Sequence, residues 1–166
     1  MKFLKGEGRS LSVEAVYNYL EWLEKAFVIY RCQRYDLQGK SVLKTQEKFY
    51  LADASLKYCI MGFNPKSIAS MLENIVYFEL LRRGYEVYIG KLNTREIDFV
   101  AVRRDERVYV QVCRNLPEDS DREIGNLLDI KDHYPKYVVT LDELAGGNVN
   151  GVKIIHLADF LLSDKL

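Results

Sequence analysis

The chain has 166 residues, 48% of them apolar and 29% charged, with 24 basic and 24 acidic side chains. That is apolar material for one ordinary core or two small ones, and it excludes wholesale disorder. No apolar run approaches the roughly 20 residues of a bilayer span, no leader pattern opens the chain, and Cys32, Cys59 and Cys113 are too scattered for a disulfide framework or zinc knuckle, so a reducing cytoplasm is the expected location and a membrane is not an expected partner.

Ser12 precedes a stretch in which Val13, Val16, Tyr17, Leu20 and Leu23 recur at three and four, which predicts an amphipathic helix capped by Ser12. The following "FVIYRCQRYD" is β-rich, "LQGKSVLKTQ" reads as a polar tip, and "EKFYLAD" reads as a second strand. Helix, strand, basic loop, strand is the order of a winged-helix tail with the loop as its wing; an ordinary hairpin packed on a helix is the alternative. A short helix then runs into breakers at Gly62 and Asn64-Pro65. The boundary is set there, with a winged-helix-like unit over 1–62 and a second unit over 63–166.

In the second unit Ile68, Met71, Leu72, Ile75, Val76, Glu79 and Leu80 fall near one stripe of a long helix, and Gly84 is its natural stop. "YEVYIGK", "EIDFVAV" and "RVYVQVC" read as strands, the last two joined by a turn over Arg103–Glu106. "DREIGNLLDIKDHY" predicts a helix, "KYVVTL" a buried strand, "GGNVNG" a loop, "VKIIHL" a strand and "ADFLLS" a closing helical turn. The expected fold class is therefore α/β (α+β), an αβββαβ mixed sheet with helices on its faces, after the smaller N-terminal unit.

Strand alternation places Glu96, Asp98 and Val100 on one face and Ile97, Phe99 and Ala101 on the other; on the next strand Tyr109, Gln111 and Cys113 oppose Val108, Val110 and Val112. If the polar faces align, a carboxylate pair sits beside an amide and a thiol, with Glu73 of the preceding helix in reach. Magnesium takes oxygen ligands from one or two carboxylates plus waters and phosphate, so Glu73, Asp98 and Gln111 are its candidate ligands. Phosphodiester hydrolysis also calls for a cation, which Cys113 does not supply. The polar side of an ordinary hairpin is the competing reading. His133 and His156 lack metal-ligand spacing.

"MLENIVYFELLRRGYEVYIGK", "EIDFVAV", "VYVQVC" and "YPKYVVT" together resemble the C-terminal domain, of unknown function, of a family of prokaryotic AAA+-type ATP-binding proteins. That domain is similar in turn to the restriction-endonuclease-like, PD-(D/E)xK, superfamily. The stretch from "SVEAVYNYLEWLEKAFVIYRCQRYD" to "KTQEKFYLAD" resembles the winged-helix linker of the same proteins. The resemblance implies a catalytic set of Glu73, Asp98, Gln111 and Cys113, with Cys113 standing where the superfamily keeps lysine and Lys91 or Arg95 as migrated substitutes. No phosphate-binding G-x-x-x-x-G-K-[ST] motif occurs, so the resemblance implies a C-terminal fragment whose ATPase domain lies outside this chain.

Three functions follow as expectations. The first is a nucleic-acid-associated accessory domain with a degenerate, inactive nuclease centre. The second is an active magnesium-dependent DNA endonuclease. The third is a protein-interaction module that docks to an AAA+-type ATPase domain or to a second copy, for which the twelve tyrosines speak. Residues 1–116 carry 19 Lys/Arg against 14 Asp/Glu and residues 117–166 carry 5 against 10, which permits a basic face. The candidate phosphate contacts to DNA are Lys40, Lys44 and Lys48 on the wing and Arg82, Arg83, Arg103, Arg104 and Arg107 around the sheet.

Overall fold

A computed structural model describes residues 12–116 and 121–163. Its elements, in chain order, are α1 (Val13–Lys25), β1 (Ile29–Asp36), β2 (Ser41–Leu51), α2 (Ser55–Met61), a 3₁₀ turn (Pro65–Ser67), α3 (Ile68–Arg82), β3 (Glu86–Leu92), β4 (Arg95–Arg103), β5 (Glu106–Cys113), α4 (Asp121–Leu128), β6 (Lys136–Thr140), β7 (Gly147–Val149), β8 (Val152–His156) and α5 (Leu157–Leu162). From α3 to β6 the order is helix, three strands, helix, strand. No helix among the described residues is long and apolar enough to cross a membrane.

The eight strands of the described residues form one mixed sheet in the order β2-β1-β3-β4-β5-β6-β8-β7. The hairpin β1–β2 joins β3 through a parallel pairing of Arg34 to Asp36 with Ile89 to Lys91. Strands of the two expected units thus share a single sheet, with β2 at its edge. β3, β4 and β5 form an antiparallel meander, and β6 and β8 continue parallel to β5.

Two cores cover the two faces. On one, Leu72, Val76, Tyr77 and Leu80 of α3 and Leu157 and Phe160 of α5 pack on Ile89, Phe99, Val110 and Val139. On the other, Ile124 and Leu127 of α4 pack on Ile97, Val100, Tyr109, Cys113 and Val138. Gly84 closes α3 at φ 80°, where a Cβ is strained.

Four elements differ from the sequence expectation. α1 is capped by the Ser12 hydroxyl, which accepts from Ala15 N at 3.0 Å, but it buries no residue: Val13, Tyr17, Trp22 and Leu23 are all exposed. The polar tip shrinks to residues 37–40 because β2 already starts at Ser41, and Asp36 Oδ1 closes the turn by accepting from Gln38 N and Gly39 N. α4 stops at Leu128 instead of running to Tyr134, and Pro135 disfavours helix in the residue before it. "GGNVNG" is half strand: Gly147–Val149 pairs with β8 across Asn150-Gly151, both at positive φ, the geometry of a tight hairpin turn.

Candidate functional site

The alternation expected along β4 breaks near Asp98. Tyr88 pairs with Val100 and Gly90 with Ile97, so Ile89 alone faces both Asp98 and Phe99. This is a β-bulge, and it reverses the sidedness of everything before it. Ile97 joins Val100 in the α4 core, whereas Phe99 and Ala101 lie in the α3 core. Glu96 is thereby turned toward the α3 face, opposite to the face it would share with Val100 in a regular strand. Gly90 makes the crowding tolerable: a Cβ there would lie 2.8 Å from Ile97 Cβ and 2.8 Å from Val100 Cγ2.

The β4–β5 ladder runs from Arg103↔Glu106 to Phe99↔Val110. Beyond that pair, side chains take over its bonds. Asp98 Oδ2 accepts from Val112 N at 2.8 Å, and Gln111 Oε1 accepts from Asp98 N at 3.3 Å. Both side chains are buried. Asp98 and Gln111 therefore meet, as the sequence suggested. Cys113 is buried too, but in the α4 core with Ile97 and Tyr109. Glu73 projects from α3, over the other face.

What the sequence reading missed is the cation on that face. Lys48 Nζ lies 2.7 Å from Glu96 Oε1 and 3.4 Å from Glu73 Oε2, and Arg34 Nη2 lies 2.7 Å from Glu96 Oε2. Burial works against the Lys48 charge, yet the bond to Glu96 and the charges of Glu73, Glu96 and Asp98 hold its pKa above the ordinary lysine value. Burial likewise opposes the Glu96 carboxylate, and Lys48 and Arg34 outweigh it, keeping its pKa below the usual range. Lys48 thus pairs with both Glu73 and Glu96, and the Asp98 charge also acts on it. The signal available in the sequence was parity: Lys48 and the core residue Tyr50 share one face of β2.

Lys48 is held over α3 by Asn74, the residue after Glu73. Asn74 Oδ1 accepts from Leu51 N and Asn74 Nδ2 donates to Leu51 O, both at 2.9 Å, which pins α3 to the edge strand. Beside them the Tyr50 ring stacks on Tyr77 at 4.3 Å, and its hydroxyl is buried without a hydrogen-bond partner among the described residues. Burial, then the charges of Glu73, Cys32, Asp98 and Glu96, push the Tyr50 pKa well above its ordinary value. Cys32, opposite Lys48 in the β1–β2 register, is pushed up to about 12 by burial and is an inert core thiol.

Among the described residues no three His, Cys, Asp or Glu side chains are grouped closely enough to hold a metal by themselves. Of the expected ligands the structure joins Asp98 to Gln111, while Glu73 lies on the α3 side with Lys48; two carboxylates are still enough for magnesium, because that ion keeps several waters. The unpartnered Tyr50 hydroxyl beside the acids adds a polar group suited to ordered water there.

The other predicted residues scatter. Lys40 is exposed in the β1–β2 turn and Lys44 is exposed on β2. Lys91 and Arg95 stand near the ends of β3 and β4, and Arg95 pairs with Asp129, away from the acids. Arg82 and Arg83 both bind Glu79, Arg103 binds Glu106, Arg104 is exposed in the β4–β5 turn and Arg107 sits between two tyrosines.

Comparison with known proteins gives a region and no activity. Residues 6–67 match the model of a domain of unknown function (DUF8612). Over 159 residues the chain is 42% identical to an uncharacterized protein of Haemophilus influenzae, covering 96% of this chain and 40% of that protein. Over 126 residues it is 30% identical to the uncharacterized protein MJ1544 of Methanocaldococcus jannaschii, covering 73% of this chain and 27% of that protein. No solved structure matches. The chain spans less than half the length of these curated relatives and corresponds to one region of longer prokaryotic proteins.

Proposed function

We propose that this region is a restriction-endonuclease-like domain of a longer AAA+-type ATPase-family protein, and that its acidic centre hydrolyses nucleic-acid phosphodiesters with a divalent cation. The observation that carries the reading is the seat of Lys48, beside Glu73 and Glu96. It supplies the positive charge that Cys113, on the α4 side of the sheet, does not. The run helix, antiparallel meander, helix, parallel strand supports the same reading.

Glu73 and Asp98 would hold the ion, with waters completing its shell, and Gln111 would brace Asp98 from the next strand. When bound, the ion supplies charge to the phosphate oxygens and acidifies a water. The chain does the rest. Val112 N fixes the Asp98 carboxylate. Glu96, itself fixed by Arg34, holds Lys48 in place, so its ammonium meets developing negative charge without reorganising. Lys40 and Lys44, exposed on the same hairpin as Lys48, would contact the nucleic-acid backbone.

A second reading is favoured by the same ion pairs. Lys48 and Arg34 neutralise much of the acid cluster, which suits a domain that binds nucleic acid and no longer cleaves it. Incubation with DNA and magnesium or manganese separates the two. Scission lost in both Asp98→Ala and Lys48→Met supports hydrolysis; intact DNA retained in a salt-sensitive way supports binding alone. Neither scission nor retention removes both.

A further inference from the structure

At the far end of β4 lies a second polar site. Arg103 is five residues beyond Asp98, roughly 17 Å along an extended strand. There the end of α3, the β4–β5 turn and the segment before β6 enclose a pocket of about 670 Å³, lined by Arg82, Arg83, Arg103, Arg107, Tyr85 and Tyr134, with Asp105 and Glu106 also on its wall.

Two of its guanidiniums carry a donor with no hydrogen-bond partner among the described residues. The Arg83 side chain is 7% exposed. Its Nε binds Glu79 Oε1 and its Nη2 donates to the Phe160 and Ser163 carbonyls, while Nη1 is buried without a partner among the described residues. Arg107 lies 5.3 Å from the ring centroids of both Tyr35 and Tyr134, makes a long bond of 3.4 Å to Tyr35 Oη, and also buries its Nε without a hydrogen-bond partner among the described residues. Burial works against its charge, and the hydrogen bonds to Tyr109 and Tyr35 outweigh it, holding its pKa above the ordinary arginine value. Arg103 stacks on Tyr85 at 4.6 Å and shares Glu106.

A buried donor without an acceptor is costly, and a cation held between rings has already lost its rotamer freedom. Both conditions favour an anionic guest. A carboxylate fills one guanidinium fork, whereas a phosphate offers oxygens to several, and four arginines around one pocket match the latter. The volume is that of a small-molecule site and far exceeds a bare phosphate. We propose that this pocket binds a phosphate group carried by a small ligand of nucleotide size. Arg107 is its principal cation, Arg103 and Arg83 assist, and the Tyr134 ring, 40% exposed, flanks the remainder of the ligand.

The test is calorimetric titration with ADP and with inorganic phosphate at low salt, without divalent metal, on the wild type and on Arg107→Gln, Arg107→Lys and Asp98→Asn. ADP is expected to bind, to be displaced by phosphate, to weaken at least about tenfold in Arg107→Gln through the lost charge-assisted bonds, and to be unchanged in Asp98→Asn. Arg107→Lys should fall between wild type and Arg107→Gln. Absence of ADP binding at millimolar concentration overturns the proposal. So does equal affinity in Arg107→Gln, or binding confined to a 5′-phosphorylated oligonucleotide. If Arg107→Gln does not fold, Arg103→Gln at the more exposed partner serves in its place. Because Asp98→Asn strikes only the acidic centre, failure here and failure of the cleavage reading are separately visible.

Discussion

Lys48 and Glu96 come from opposite parts of the chain, on β2 and β4, and meet at 2.7 Å on the α3 side of the sheet. Their meeting requires two features of the fold. The β1–β2 hairpin must join the edge of β3, and the bulge at Asp98 must turn Glu96 to that side.

The bulge predicts a strict demand at Gly90. Gly90→Ala drives a methyl into Ile97 and Val100 and is expected to cost about 1–3 kcal/mol of stability, as overpacking does. Urea denaturation measures it. An unchanged midpoint would mean that the two strands separate freely at this point and that Glu96 is not fixed by the crowding.

Asn74 predicts a second weakness. It satisfies both Leu51 backbone groups, so Asn74→Ala leaves them without partners and is expected to destabilise by about 1–3 kcal/mol. Because the same contact sets Lys48 over α3, this variant should also lose activity at the acidic centre at temperatures where it remains folded. Loss of stability with full activity would show that Lys48 is positioned by β2 alone.

Much of this was legible from residue order. Helix α3, the β3–β5 meander, the buried β6 and the convergence of Asp98 with Gln111 all follow from periodicity and breakers, because each depends on neighbours within a few turns or strands. The bulge did not follow: alternation assumes a regular pleat, and an extra residue reverses sidedness without a mark in composition. Residue order makes Lys48 a phosphate contact on a wing and does not join it to the acids, because its partners lie 25 and 48 positions further along the chain. The β7–β8 hairpin was legible and passed over, since Asn150-Gly151 is a strong turn signal.

Glu79 predicts a strong local effect at the other end of α3. Its carboxylate, 8% exposed, binds both Arg82 and Arg83, and Arg83 ties α3 to the carbonyls of Phe160 and Ser163. Glu79→Ala strands the buried Arg83 charge and is expected to cost about 3–5 kcal/mol, with Glu79→Gln milder. Thermal unfolding of the two variants checks the order; equal loss would mean that the charge is irrelevant.

The acids also set a pH dependence. Burial raises the Glu79 and Glu96 pKa values, but Arg82 and Arg83 in one case and Lys48 and Arg34 in the other pull both below the ordinary 4.5. A carboxylate depressed in the folded state stabilises fully above its unfolded pKa, and that contribution disappears as pH falls through the folded value. Stability should therefore be level above about pH 5 and fall below about pH 4.5, less steeply in Glu79→Gln. A wild-type profile flat down to pH 3 would contradict this.

The most direct test of the acidic centre is a cleavage assay on labelled single-stranded and duplex DNA with magnesium or manganese, run on the wild type, Asp98→Ala, Lys48→Met and Cys113→Ser. The account predicts metal-dependent scission by the wild type, its loss in Asp98→Ala and Lys48→Met by at least about a hundredfold, as removal of a charge-stabilising group does, and its retention in Cys113→Ser. No scission at any metal concentration, or full activity in Lys48→Met, would contradict it.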